Sequence, residues 1–233
     1  DCLQCHDPHR GVARGLLKAK PAELCGQCHE RLAEDSKRPV VHKAFADGEC
    51  VGCHEPHGSE REHLVKTDDG TMCLACHKDK AQQVAATTGA HPPFAKKDCL
   101  RCHRPHAGTE PQLLEKDMRT LCRTCHSAMT QKLAGLEVHT PFRSGRCTAR
   151  HSPHQSSRDP LLRDVPGKLC TECHSLVRPR VEHPHPPVVQ GQCLSCHGAH
   201  GGVTTRLLST GGPTLCTKCH TAIAAKVQGP NAH

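Results

Sequence analysis

Nine times in this sequence two cysteines, separated by two residues, are followed at once by histidine: Cys2–His6, Cys25–His29, Cys50–His54, Cys73–His77, Cys99–His103, Cys122–His126, Cys170–His174, Cys193–His197 and Cys216–His220. With 19 Cys and 22 His in 233 residues, chance would supply about 0.14 copies of that string. Two thiols one helical turn apart can add to the two vinyl groups of a haem as thioethers, and the histidine that follows is then set beneath the iron as proximal ligand. Other chemistries of paired cysteines fit worse. A disulfide framework is opposed by the odd number of Cys and by a pair spacing that rarely makes structural bridges. Tetrahedral zinc uses C-x-x-C but needs no His after every pair, and it leaves the surplus His unexplained.

The implied attachment set is Cys2, Cys5, Cys25, Cys28, Cys50, Cys53, Cys73, Cys76, Cys99, Cys102, Cys122, Cys125, Cys147, Cys170, Cys173, Cys193, Cys196, Cys216 and Cys219. The proximal ligands are His6, His29, His54, His77, His103, His126, His151, His174, His197 and His220. Cys147 and His151 belong to a tenth, degenerate motif, Cys147-Thr-Ala-Arg-His151, with Arg150 where the second Cys should stand. A haem held by one thioether is the leading reading of that site; a non-covalent haem or an empty site are the alternatives. Arg150 could pair with a haem propionate, because guanidinium suits carboxylate.

The motifs alternate between two contexts. First cysteines of the odd motifs fall at 2, 50, 99, 147 and 193, and those of the even motifs 23 residues later in all five cases. Each odd motif is followed by a second His three residues after its first: His9, His57, His106, His154 and His200. A further His lies eight residues before the odd motifs, at His42, His91, His139 and His185, with Phe45, Phe94, Phe142 and then Val188 three residues on. His233 lies 13 residues after His220, as His42 does after His29. These ten are the distal candidates, so that 20 of the 22 His close ten irons. His63 and His183 are spare, the first read as solvated and the second set aside because only His185 keeps the spacing. Met72, Met118 and Met129 hold no repeated position, so bis-His ligation and low potentials are expected.

Five two-haem repeats follow: 1–41, 42–90, 91–138, 139–184 (with the degenerate motif) and 185–233. Trp and Tyr are absent, Phe is 3 and the apolar fraction is 35% with Cys included. That cannot build an ordinary core against the entropy of ordering the chain. The expected fold is therefore mostly irregular, with short α-helices and a core made of haem, elongated through its five repeats. Apolar pairs Leu16-Leu17, Leu64-Val65, Leu113-Leu114, Leu161-Leu162 and Leu207-Leu208 are expected to pack on porphyrin faces, and Phe against a haem or its His. Helices should open at the even motifs, over Cys73–Ala86, Cys122–Ala134 and Cys216–Val227, and stop at Gly89, Gly135 and Gly229. Odd motifs should be turns. No strand pattern is visible.

Over its whole length the chain resembles the multihaem c-type cytochromes of the doubled-motif type, including decahaem conduits and cytochrome filaments. The resemblance implies electron transfer, with neighbouring porphyrins near contact, and no enzyme activity. A multihaem reductase is the rival of another class; it would need an open iron, and no C-x-x-C-Lys motif is present. A haem store or scaffold is the third. The net charge of +8 would suggest a nucleic-acid partner, but about 20 propionates would bring the loaded protein to roughly −2 oxidised and −12 reduced. Nucleic acid is therefore rejected, and other redox proteins are the expected partners. No apolar run is long enough for a transmembrane segment. Haem attachment of this kind points outside the cytoplasmic membrane, to a periplasmic or extracellular place.

The constant offset of eight suggests that His42 ligates the Cys50–His54 haem, and so on down the chain. His57 and its equivalents would then serve the even-motif haem of their own repeat. On that reading the first haem, at Cys2–His6, lacks a distal ligand, which His233 of another copy could supply head to tail. A conduit subunit, a fragment of a longer protein or a discrete carrier are the alternatives to that filament.

Overall fold

The computed structural model describes residues 1–85, 89–175 and 182–227. Ala86, Gly229 and His233, on which expectations above rest, lie outside them. The chain forms two compact units, Asp1–Asp117 and Met118–His233. It exposes 17133 Å², where a folded monomer of 25.3 kDa would expose roughly 10,000 Å². Among the described residues the buried apolar side chains are Ala19, Ala107 and Leu169. Leu16 and Leu64 remain 51% and 42% exposed. Packing of protein on protein is thus nearly absent, as the composition requires of a mostly irregular chain with short helices.

All ten motifs close the same single turn. The N–H of each motif His donates to the carbonyl of its first Cys at 2.9–3.0 Å, in the degenerate motif (His151 to Cys147) as in the intact ones. This turn is what puts two thiols and an imidazole on one side of the backbone. The odd motifs, expected as turns, are one-turn helices at Cys2–Cys5 and Cys50–Cys53 and 3-10 turns at Cys99–Arg101, Cys147–Ala149 and Cys193–Ser195.

Helices do not open at the even motifs. They run into them and break at the His: Pro21–Gly26, Thr71–Leu74, Met118–Cys125, Pro166–Thr171 and Pro213–Thr217 each carry the first Cys. Second helices, Glu30–Asp35, Lys78–Ala85, Ser127–Lys132 and Thr221–Val227, start after it. The periodicity is continuous across the motif, but backbone angles at the His are not helical, with φ −99° and ψ 72° at His29 and φ −97° and ψ 34° at His126. Each odd-motif His also forms a β-bridge with the second residue of its apolar pair: His6 with Leu17, His54 with Val65, His103 with Leu114, His151 with Leu162 and His197 with Leu208. The first residue of each pair takes a left-handed φ of 53–59° to reverse the chain.

Among the described residues two short antiparallel ladders form that no alternation foretold. In the first unit β1 (Val40–Val41) pairs with β2 (Ala107–Gly108); in the second β3 (Glu137–Val138) pairs with β4 (Gly201–Gly202). Strands of two residues are too short to carry a period-2 signal. Their function is positional. They bring the His that follows one strand beside the His that precedes the other, so that His42 N–H donates to the His106 carbonyl and His139 N–H to the His200 carbonyl, both at 2.8 Å.

Candidate haem sites

The imidazoles stand opposite one another in two regular classes, some stacked and some tilted. His6 faces His57, His54 faces His106 and His151 faces His200, with ring centres 5.9–6.0 Å apart. His42 faces His77, His139 faces His174 and His185 faces His220, at 6.0–6.2 Å. A coordinating imidazole nitrogen sits about 2 Å from its metal. Two rings on opposite sides of one iron therefore have centres roughly 6 Å apart, the separation observed. Each pair contains the His of one motif, and the thiols of that motif, two in the intact motifs and Cys147 alone beside His151, lie on the same turn.

This geometry corrects the pairing expected from spacing. His42 does not face His54; it faces the even-motif His77 of its own repeat. His57 does not serve that even motif either; it faces His6, in the odd motif of the preceding repeat. His6 thus has an imidazole opposite it within the chain, which speaks against the idea that His233 of another copy completes the first site. The constant offset of eight has a different cause. His42, His91, His139 and His185 each precede a one-turn helix, Lys43–Ala46, Pro92–Ala95, Thr140–Arg143 and Pro186–Val189, which joins them to the next odd motif by a fixed length of chain.

His9 is 92% exposed beside Asp7. Among the described residues no second imidazole ring is seen facing His9, His29 or His197. His185, and not His183, stands opposite His220, and His63 is exposed. Met118 accepts a hydrogen bond from Thr148 at 3.3 Å through its sulfur.

Two features around the sites, the hold on the odd-motif imidazoles and the cation over Phe142, went unread in the sequence, and the expected packing of Phe on a His falls on a His of another repeat. The odd-motif imidazoles are each held by a hydrogen bond from Nδ1–H to the carbonyl nine residues on: His6 to Gly15, His54 to His63, His103 to Gln112, His151 to Pro160 and His197 to Arg206, at 2.6–2.9 Å. With Nδ1 donating, Nε2 keeps its lone pair for a metal. The repeated spacing of nine was the available signal. Phe45 stacks on His106 at 4.9 Å and Phe142 lies tilted against His200 at 5.2 Å, so the repeated Phe steadies an imidazole of the following repeat. Arg123 in turn lies over the Phe142 ring at 5.2 Å.

Within each unit, attachment cysteines of several successive motifs adjoin one another. Burial raises the Cys25 thiol pKa first, and its neighbours Cys50 and Cys5 raise it further. Cys73 is pushed up to about 11 by burial and then by Cys99 and Cys53. Cys170 is raised by burial and then by Cys193. In place of such repulsion, a hydrogen bond from Cys122 holds the Cys147 thiol down to about 6, with Arg123 assisting. In the first unit, the turns around Cys2, Cys25, Cys50, Cys73 and Cys99 thus follow one another without a gap.

The doubled CXXCH motif matches five segments, residues 1–34, 42–82, 91–131, 139–178 and 185–225. The chain belongs to this family. It is a multihaem c-type cytochrome with five doubled motifs, and haem c is its cofactor, in roughly ten copies. No curated protein matches this cytochrome. The residues fit the group: turn-borne thiol pairs, facing imidazoles at the span of an iron, and apolar side chains left uncovered by protein. No helix among the described residues is long and apolar enough to cross a membrane.

Proposed function

We propose that this cytochrome conducts electrons along about ten bis-histidine haems taken in chain order, exchanging them with other redox proteins outside the cytoplasmic membrane. The observation that carries the reading is the set of imidazole pairs about 6 Å apart. When bound, haem supplies a one-electron couple. The protein's part is to close both axial positions, which leaves no place for a substrate on those irons. That favours conduction over a multihaem reductase. The absence of repeated Met supports low potentials, and the attachment turns that follow one another in the first unit support a path that follows the motifs there. A spectrum of the loaded protein, oxidised and reduced, tests this. Low-spin haem throughout is expected. A high-spin haem that takes nitrite or hydroxylamine would support the reductase.

A second reading concerns neighbours of the chain. The two pairing classes, extended by one repeat, make His9 the partner of an odd-motif His in a preceding repeat, and give His197 a partner from a following one. We propose that a neighbouring repeat completes these sites. Another copy joined head to tail would do so and build a filament; further repeats in one conduit chain would do so as well. His9→Ala separates these readings from a discrete carrier. In an assembly it removes one low-spin haem per junction and shortens the polymer, whereas in a discrete carrier it changes neither the spin count nor the size.

A further inference from the structure

Arg150 occupies the place held in the other odd motifs by Cys5, Cys53, Cys102 and Cys196. Its motif keeps the common turn, so the substitution has not unmade the backbone of the site. The side chain, however, leaves its own motif. One guanidinium nitrogen donates to the Ala199 carbonyl at 2.8 Å, and another lies 2.9 Å from Nδ1 of His139. His139 reaches the same Ala199 oxygen at 3.1 Å. No propionate is needed to explain where this cation goes. His139 is the imidazole that faces His174, so the group standing where a thioether sulfur belongs lies against the back of the neighbouring haem's axial pair.

We propose that Arg150 is a positioning residue that raises the potential of the haem held between His139 and His174 above that of the equivalent haem between His42 and His77. This rests on the bis-histidine reading above. The effect is one of charge. A half-buried guanidinium is charged at every accessible pH and is screened less than a surface charge, so it favours the iron state with one positive charge fewer. The fourth repeat would then put a step in a row of otherwise similar haems, a site where an electron rests.

The test is a spectroelectrochemical titration of the full haem-loaded chain as Arg150→Gln and Arg150→Lys. About one redox equivalent in ten should move to lower potential in R150Q and stay in place in R150K, with the low-spin count unchanged in both. To show which haem moves, His139→Met lifts that haem out of the bis-His group, since axial Met raises potentials; adding R150Q should then lower this isolated wave. An R150Q curve that superposes on the parent overturns the proposal. So does an isolated wave that stays put while another moves, because Arg150 would then act on its own haem. If H139M produces no separated wave, His139 is not a ligand and the bis-histidine reading fails at that site, a different failure from the first.

Discussion

An imidazole becomes an axial ligand through what holds its other nitrogen. In the odd motifs that hold is a carbonyl nine residues on, supplied by a hairpin whose far strand carries the apolar pair. Distal rings are held differently, by Phe45 on His106 and Phe142 on His200. Because the distal ring of an odd site comes from the next repeat, removing it should open a haem some 50 residues away in sequence and leave the haems of its own repeat closed. His57→Ala is expected to create one carbon-monoxide-binding haem per chain in the reduced protein. Adding Cys2→Ser and Cys5→Ser should abolish that binding, while adding Cys73→Ser and Cys76→Ser should leave it; the reverse outcome would restore the pairing by spacing. The candidates for this chemistry were all legible in the sequence, because the motif and its following His are local. The partners were not. The opposed imidazoles lie 35 residues apart in one class and about 50 in the other, and a constant offset along the chain reports covalent connection more strongly than contact.

Elements here are single turns, and what ends them decides where a ligand stands. Each leading His is followed by a one-turn helix that closes on a left-handed residue two before the odd motif: Gly48, Lys97, Gly145 and Gly191, with φ of 73°, 57°, 74° and 66°. Three of the four are the residue type that takes this conformation without cost. At Gly145 space is short as well, since a Cβ would lie 2.3 Å from the Cβ of Arg119. Gly145→Ala should therefore cost the loaded protein about 1–2 kcal/mol from the backbone alone, and more from displacing Arg119. The measurement is the denaturant midpoint followed by Soret circular dichroism, which should fall; an unchanged midpoint would show the cap to be idle. The mirror change, Lys97→Gly, relieves the backbone at the loss of an exposed contact between Lys97 and Asp69, 3.3 Å apart, worth little; its midpoint should rise. Helical periodicity had indicated helices at the even motifs and missed their breaks, because period reports which residues face inward and says nothing of backbone angles at one His. The two-residue ladders escaped for want of length.

At the scale of the molecule, cofactor ligation replaces the core. Within each unit, imidazoles of one repeat stand opposite each other at even motifs, as His42 and His77, and an iron between them would close that repeat on itself. At odd motifs the opposed imidazoles belong to successive repeats, as His6 with His57 and His54 with His106, and an iron there would fasten one repeat to the next. Leu16 and Leu64 keep about half their surface, and the chain's total is well above that of an ordinary folded monomer of its mass. Little burial of protein on protein is therefore available to oppose the entropy of the chain. The consequence is that folding and haem uptake are one event, as in small metal-dependent domains that are unfolded without their metal. The haem-free chain, made where no attachment occurs and kept reduced so that its thiols do not cross-link, should show little helical circular dichroism. Its heating curve should be a featureless slope, and it should carry the large hydrodynamic radius of an open coil. The loaded chain should instead be compact and resist heat, since its cross-links are covalent at the thioethers and coordinate at the irons. A cooperative melt of the haem-free protein would mean that the hairpins and ladders assemble by themselves, and that haem is a guest in the fold.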